Sequence, residues 1–185
     1  MDKNSDRENY RRVTSILYPF SGLKEISPEV VQRAADRGTK VHKICEAIVE
    51  GLGEFNVDEE AKPYVESFKL WWGEGHEVVE MEKRFWDDNN RLTGQCDFIL
   101  KTGKGLNIVD LKTSYRPSKT WSVQGSAYAM LARQAGYDIQ SIQFIHLNKL
   151  GKYPKIYEYP VDETFFLDVL RVYDYFFENK KAGKK

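Results

Sequence analysis

The sequence is poor in cysteine and has no long apolar run. Its two cysteines, Cys45 and Cys96, are too few for a zinc cage or an iron–sulfur cluster, and they offer no disulfide framework. We therefore expect two buried thiols in a reducing cytoplasm. Because neither a membrane-spanning run nor a signal peptide can be recognised, the sequence predicts a soluble, intracellular protein.

Net charge is also absent, since 28 Lys and Arg residues balance 28 Asp and Glu residues. The charges are unevenly distributed: residues 98–155 contain nine basic and two acidic residues, whereas residues 46–66 contain seven acids and one lysine. A neutral chain with one basic flank suits a polyanion that is bound on one side. The alternative is a chance asymmetry between solvent-exposed faces.

The residues that are present indicate one folded domain. Hydrophobic residues make up 41% of the chain, which argues against disorder, and 185 residues suffice for a full core. We expect a single domain over residues 1–185, with residues 1–12 flexible. Periodicity and turn residues predict helices over 28–49, 63–72, 120–134 and 162–180. They predict strands over 76–86, 92–101, 106–113, 141–148 and 155–159.

Short turns predict an antiparallel meander for the first three strands and a hairpin for the last two. Ser27 and Asp162 are predicted N-caps of their helices. The last helix carries apolar residues at helical spacing, from Phe166 through Leu170 to Phe176, and we expect them to pack on the sheet.

The strand at 106–113 is apolar except for two charged residues in its second half. Asp110 and Lys112 point to the same face, because strand side chains alternate with a period of two. Charges inside an apolar strand are costly unless a function requires them. We interpret these two as groups that act on a metal ion and a phosphate.

Asp97 lies on the preceding predicted strand, where Cys96, Phe98 and Leu100 are expected to face the opposite side. Carboxylates on neighbouring strands can converge and bind a hard cation through oxygen. With Lys112 they suit phosphodiester hydrolysis, because Mg²⁺ would polarise the phosphate and lower the pKa of a bound water that the lysine positions.

Four short motifs resemble, in order, those of the PD-(D/E)XK nuclease superfamily in its RecB-like or phage-type exonuclease branch: Arg37-Gly38-Thr39-x-Val41-His42-x-x-Cys45-Glu46, Gly94-x-x-Asp97, Asp110-x-Lys112 and Gln124-x-x-x-Tyr128. A lone Asp-x-Lys is usually a surface pair, whereas four motifs in the family's order form a specific pattern. Cys96 replaces the proline that gives the superfamily its name. The iron–sulfur cysteines of some relatives are missing, so no cluster is expected.

The resemblance implies a restriction-endonuclease-like α/β core, with a mixed central β-sheet flanked by helices. It implies that His42, Asp97, Asp110 and the backbone carbonyl of Leu111 bind Mg²⁺ or Mn²⁺, and that Lys112 acts on the attacking water. Asp97, Asp110 and Lys112 would be the catalytic residues. It further implies that Gln124, Tyr128 and Glu82 contact DNA or support the site. Arg116 and Lys119, which follow the charged strand, are additional candidates for contact with DNA.

Four of these residues have ordinary structural alternatives, and Arg116 is one of them, because it could be an ordinary loop residue. Gln124 and Tyr128 are i and i+4, so they share a helix face that could simply pack on the sheet. Glu82 could belong to a solvent-exposed strand face.

As to function, the resemblance implies a metal-dependent deoxyribonuclease, an exonuclease of DNA repair or recombination in the cytoplasm of a bacterium or a phage-infected cell. DNA is the expected partner, a recombination or helicase protein is a further candidate partner, and no membrane association is expected. One alternative is a catalytically silent DNA- or protein-binding module, although a binding module has no reason to keep buried charges. Another is a structure-specific endonuclease. Oligomeric state and end polarity stay open.

Overall fold

The computed structural model describes residues 7–53 and 56–178, and a mixed six-stranded β-sheet forms its centre. The strands are β1 (Arg11–Arg12), β2 (Glu77–Asp87), β3 (Leu92–Thr102), β4 (Gly105–Lys112), β5 (Ile139–His146) and β6 (Lys155–Tyr159). The α-helices are α1 (Val13–Leu17), α2 (Pro28–Val49), α3 (Lys62–Trp72), α4 (Thr120–Gln134) and α5 (Glu163–Tyr173).

The strand pairing confirms the predicted α/β class and its mixed sheet. Strands β2, β3 and β4 form an antiparallel meander, and β5 and β6 form an antiparallel hairpin. Strands β4 and β5 are parallel, so the chain must cross over between them, and α4 provides that crossover. The two strands therefore end at the same edge of the sheet, where Lys112 is paired with His146.

Two hydrophobic clusters cover the two faces of this sheet. One contains residues of α1, α4 and α5, and the other contains residues of α2 and α3. On β4 the alternation is regular: Ile108 belongs to the α4 cluster, and Val109 and Leu111 belong to the α2–α3 cluster. The charged residues of β4 are thus held by an apolar strand that is buried on both faces.

The alternation on β3 differs from the expectation. Cys96 was expected beside Phe98 and Leu100, but it packs in the α4 cluster, whereas Phe98 and Leu100 pack in the α2–α3 cluster. The change of face occurs where β4 leaves the edge of β3, because the ladder between them ends at Phe98 and Val109. Without a partner on that edge, the backbone is not held in a strict pleat.

The helix ends were predicted with mixed success. Asp162 caps α5 by accepting a hydrogen bond from the Phe165 N–H at 3.0 Å, as expected. Ser27 occupies the N-cap position, as predicted, but its side chain makes no capping bond; its backbone carbonyl accepts the Val31 N–H. The expected packing of the last helix fails at Phe176, which is 64% exposed, because a π-helical turn follows α5 and rotates the apolar face.

The structure describes the segment before α1 from Arg7, and residues 1–6 lie outside the described part, so the expected flexibility of residues 1–12 stays a prediction. Arg11 and Arg12 pair in parallel with Leu92 and Thr93 of β3. Strand β2 occupies the other edge of β3 over its whole length, so β1 and β4 share one edge. The edge between them, at residues 94–97, has no strand partner in the described structure.

Helix α4 approaches the sheet so closely that two positions require glycine. A Cβ at Gly125 would lie 2.3 Å from Ile142 Cγ2, and a Cβ at Gly94 would lie 2.8 Å from the Tyr128 ring. Contacts this short are not found between real side chains, so any larger residue must displace a packed neighbour. This close approach lets side chains of α4 reach the charged residues of β4.

We expect Gly125→Ala to lower the free energy of unfolding. Overpacking a tight core costs about 1–3 kcal/mol, which outweighs the ~1 kcal/mol that alanine gains over glycine in a helix. Urea denaturation measures the difference. Gly103→Ala is the control: a Cβ there meets nothing within 4 Å, and the change should stay within about 0.5 kcal/mol. Equal stability of the two variants would contradict the close approach.

Candidate active site

Asp97 joins α2 to β4 at the point where β3 and β4 separate. Its Oδ1 lies 3.0 Å from His42 Nδ1, and its Oδ2 accepts a hydrogen bond from the Leu111 N–H at 2.5 Å. The Leu111 N–H is available because the β3–β4 ladder has already ended at Phe98 and Val109. The carboxylate therefore replaces a missing ladder bond and is held in one orientation.

The two partners of this contact shift each other's pKa in opposite directions. Burial disfavours the His42 cation, but the charge and hydrogen bond of Asp97 outweigh it and raise the pKa of His42 to about 9. Burial likewise disfavours the Asp97 carboxylate, but His42 outweighs it and keeps the pKa of Asp97 below its usual value. Without a bound metal, a protonated His42 balances one of the carboxylates.

Asp110 and Lys112 lie on one face of β4, as predicted, and form an ion pair. Asp110 Oδ2 is 2.5 Å from Lys112 Nζ, and Gln124 on α4 accepts a hydrogen bond from the same ammonium at 3.2 Å. Burial and the charge of Asp97 raise the pKa of Asp110 to about 6 in spite of Lys112. The lysine is held between a strand carboxylate and a helix amide.

Gln124 and Tyr128 share a face of α4, as their spacing predicts. Gln124 Nε2 donates to the Tyr128 hydroxyl at 2.9 Å and reaches Asp110 Oδ1 at 3.5 Å. Both side chains are buried, and the Tyr128 ring packs against Gly94. Packing on the sheet and support of the site are therefore compatible for Gln124 and Tyr128. Their packing orients the Gln124 amide that contacts Asp110 and Lys112.

Glu82 extends the cluster from the neighbouring strand β2. Single ligand atoms of His42, Glu82 and Asp97 lie within 4.8 Å of one another. Glu82 has a φ of 49°, which is unusual for a non-glycine residue in a strand and is typical of strained functional positions. Burial, followed by the charges of Asp97 and Glu46, raises the pKa of Glu82 to about 8.

Two residues beside Glu82 were given no role from the sequence, although Glu46 belongs to the first motif. Glu46 lies close enough to raise the pKa of Glu82, and Gln95 donates a hydrogen bond to Glu82 while accepting one from Arg84. Glu46 could have been found, because it lies one helical turn after His42 on α2. Gln95 left no signal, since its contact depends on the register between β2 and β3.

The remaining predicted residues are only partly brought together. Leu111 reaches the cluster through its N–H, and the role of its carbonyl stays a prediction. Arg116 and Lys119 lie on the loop between β4 and α4, both exposed and outside the carboxylate cluster. Their expected contact with DNA also stays a prediction.

The donor set fits a hard divalent cation. It combines carboxylates with one imidazole and no thiolate, which suits Mg²⁺ or Mn²⁺. Among the described residues, the buried Asp110 Oδ2 has no correctly directed hydrogen bond despite its contact with Lys112. Burial and neighbouring carboxylates raise the pKa values of Glu82 and Asp110, and a bound cation would favour the charged forms of both groups.

Carboxylates and a histidine beside a lysine, at the edge where two strands of a mixed sheet separate, are typical of phosphodiester hydrolases that use a divalent metal. The model of the PD-(D/E)XK nuclease superfamily matches residues 58–166. The chain therefore belongs to the PD-(D/E)XK nuclease superfamily, and its fold is the restriction-endonuclease-like fold expected from the motifs.

Solved structures show the same fold at low sequence identity. The crystal structure of SSO0001 is similar with a TM-score of 0.54 and 15% identity, covering 95% of this chain and 84% of that one. An alkaline exonuclease from Laribacter hongkongensis gives 0.51 and 10%, covering 92% and 87%. A candidate exonuclease from Eubacterium rectale gives 0.52 and 13%, covering 93% and 79%.

No curated protein matches the sequence significantly. Within the described residues, no helix is long and apolar enough to span a bilayer. Cys45 and Cys96 are both buried and do not pair with each other.

We expect the metal-free protein to lose stability between pH 6.5 and 8. The pKa of His42 rises on folding from 6.5 to about 9, and that of Glu82 rises from 4.5 to about 8. The folded state therefore binds more protons in this window, so the free energy of unfolding falls as pH increases. Asp97, whose pKa is lowered, acts in the opposite sense only at acidic pH.

Thermal denaturation in EDTA at pH 6, 7 and 8 measures this decline. Glu82→Gln removes one contributing proton and should make the decline shallower. Mg²⁺ or Mn²⁺ should stabilise the protein more at pH 8 than at pH 6, because protons compete with the metal for the same ligands. A melting temperature that rises with pH, or a metal effect independent of pH, would contradict the proposed charge balance.

Proposed function

We propose that this protein is a divalent-metal-dependent DNA exonuclease of the RecB-like or phage type, acting in DNA repair or recombination. One observation carries the proposal: Glu82 and Asp97 converge with His42, and Asp110 lies beside them in an ion pair with an oriented Lys112. Structures whose names include exonuclease share its fold, which supports the proposal at the level of the fold alone.

In the proposed mechanism, His42, Asp97 and Asp110 would hold the metal, with Glu82 and the Leu111 carbonyl as further ligands. The cation would polarise the scissile phosphate and lower the pKa of a bound water. Lys112, held by Asp110 and Gln124, positions the attacking water and offsets the negative charge that develops on the phosphate.

Other parts of the chain support this site. Gln124 keeps the Lys112 ammonium in place and is itself oriented by Tyr128. Arg116 and Lys119, on the loop directly after β4, would bind the phosphates that flank the reacting one. The buried thiols are compatible with the reducing cytoplasm that we propose as its location, and no iron–sulfur cluster takes part in the mechanism.

We expect the protein to degrade linear DNA in Mg²⁺ or Mn²⁺ and to leave closed circular DNA intact. Lys112→Ala and Asp110→Asn should each lower the rate by at least about 100-fold, because each removes charge stabilisation or metal binding at the reacting phosphate. EDTA should abolish the reaction. Time courses on end-labelled and circular substrates measure these effects.

Lys101→Ala is the matched control, since Lys101 is exposed on β3 and paired with Glu77 away from the cluster. Its rate should equal that of the wild type. Activity that survives EDTA or Lys112→Ala would refute the mechanism. Cleavage of circular DNA would show that the protein is an endonuclease and not an exonuclease. Binding without cleavage of any substrate would favour the catalytically silent binding module.

A further inference from the structure

Tyr115 is a large aromatic residue that lies open to solvent close to the candidate active site. Its side chain is 73% exposed, and it follows Lys112 by only three residues. The two loops that continue from β4 and β5 leave the sheet at one edge, where Lys112 pairs with His146. Tyr115 therefore lies close to the sheet edge at which β4 ends with Lys112.

Hydrogen bonds from α2 and β5 hold the loop at the two residues directly before Tyr115. Arg37 of α2 donates to the Thr113 carbonyl at 3.1 Å, and His146 of β5 donates to the Ser114 carbonyl at 2.6 Å. The Ser114 hydroxyl then closes the turn by donating to the Arg116 carbonyl at 2.9 Å. An aromatic side chain on a loop held in this way is preorganised for contact.

Cations from two loops surround the ring. The Lys149 ammonium, from the loop after β5, lies 4.6 Å from the centroid of Tyr115, and the Arg116 guanidinium lies 5.6 Å from it. Residues 113–119 and 147–154 contain four basic residues and no acid. The surface thus combines an exposed aromatic ring with several positive charges, and these two loops contain no acid that could neutralise them.

We propose that Tyr115, Arg116 and Lys149 form a stacking platform that binds an unpaired DNA strand next to the reacting phosphate, an inference that rests on the proposed nuclease function. An exposed ring can stack on a base only when the base is not already stacked inside a duplex. The flanking cations bind the phosphates of the same strand. A duplex would bind the cations through its phosphates, but its bases would not stack on the Tyr115 ring.

Binding without cleavage tests the platform. Fluorescence anisotropy in EDTA compares a labelled single strand with its duplex for the wild type, Tyr115→Ala, Tyr115→Phe and Lys149→Ala. Tyr115→Ala should raise the single-strand Kd by about 5- to 100-fold, and Tyr115→Phe should change it by less than about twofold, because the ring is retained. Lys149→Ala should weaken the binding of both the single strand and the duplex, and it should reduce the salt dependence of that binding.

Matched controls separate the platform from general surface effects. Tyr175 is 71% exposed on the π-helical turn after α5, and Lys101 is paired with Glu77. Tyr175→Ala and Lys101→Ala should leave both Kd values unchanged. Equal weakening of single strand and duplex by Tyr115→Ala, or no weakening of either, would overturn the platform.

The nuclease assay keeps this inference distinct from the proposed function. Metal-dependent cleavage that requires Lys112, together with unchanged single-strand binding by Tyr115→Ala, would refute the platform and leave the nuclease in place. Single-strand binding that requires Tyr115, without cleavage of any substrate, would refute the nuclease and leave a single-strand-binding surface.

Discussion

The candidate site depends on the separation of β3 from β4 at Asp97. Strand β2 remains paired along the other edge of β3, so the sheet stays intact while one edge opens. The freed Leu111 N–H is satisfied by the Asp97 carboxylate, which also contacts His42. Had the ladder continued, this N–H would bond to a backbone carbonyl and the carboxylate would lose the contact that orients it.

The opening also collects negative charge that the apolar surroundings do not favour. Burial and mutual repulsion raise the pKa of Glu82 to about 8 and that of Asp110 to about 6. The hydrophobic clusters on both faces of the sheet hold these groups together against that repulsion. Burying these carboxylates lowers the stability of the fold, but it provides ligands for a cation. Such a loss of stability is expected at a functional site.

Part of this arrangement could be read directly from local patterns. The bounds of α2 and α4 agree with helical periodicity and turn residues. The shared face of Asp110 and Lys112 follows from strand alternation, and that of Gln124 and Tyr128 follows from the helical turn. These predictions succeeded because each depends on residues that are near one another in sequence.

The failures have an equally physical origin. The place of Cys96 was mistaken because the pleat of β3 changes where its neighbour departs. Gln95 and the strained backbone of Glu82 depend on the register between β2 and β3. Phe176 was misplaced because the helix changes its hydrogen-bond pattern after Tyr173. None of these is visible in the spacing of residues along the chain.

The sequence by itself therefore determined the longer helices and strands, the charged strand and the four family motifs, since all rest on local spacing and residue type. Only the tertiary structure decided that Asp97 also accepts the Leu111 N–H, and that Glu46 lies beside Glu82. It also brought Lys149 over Tyr115. These contacts are formed by strand register, an unpaired edge and the meeting of two loops, which are non-local features.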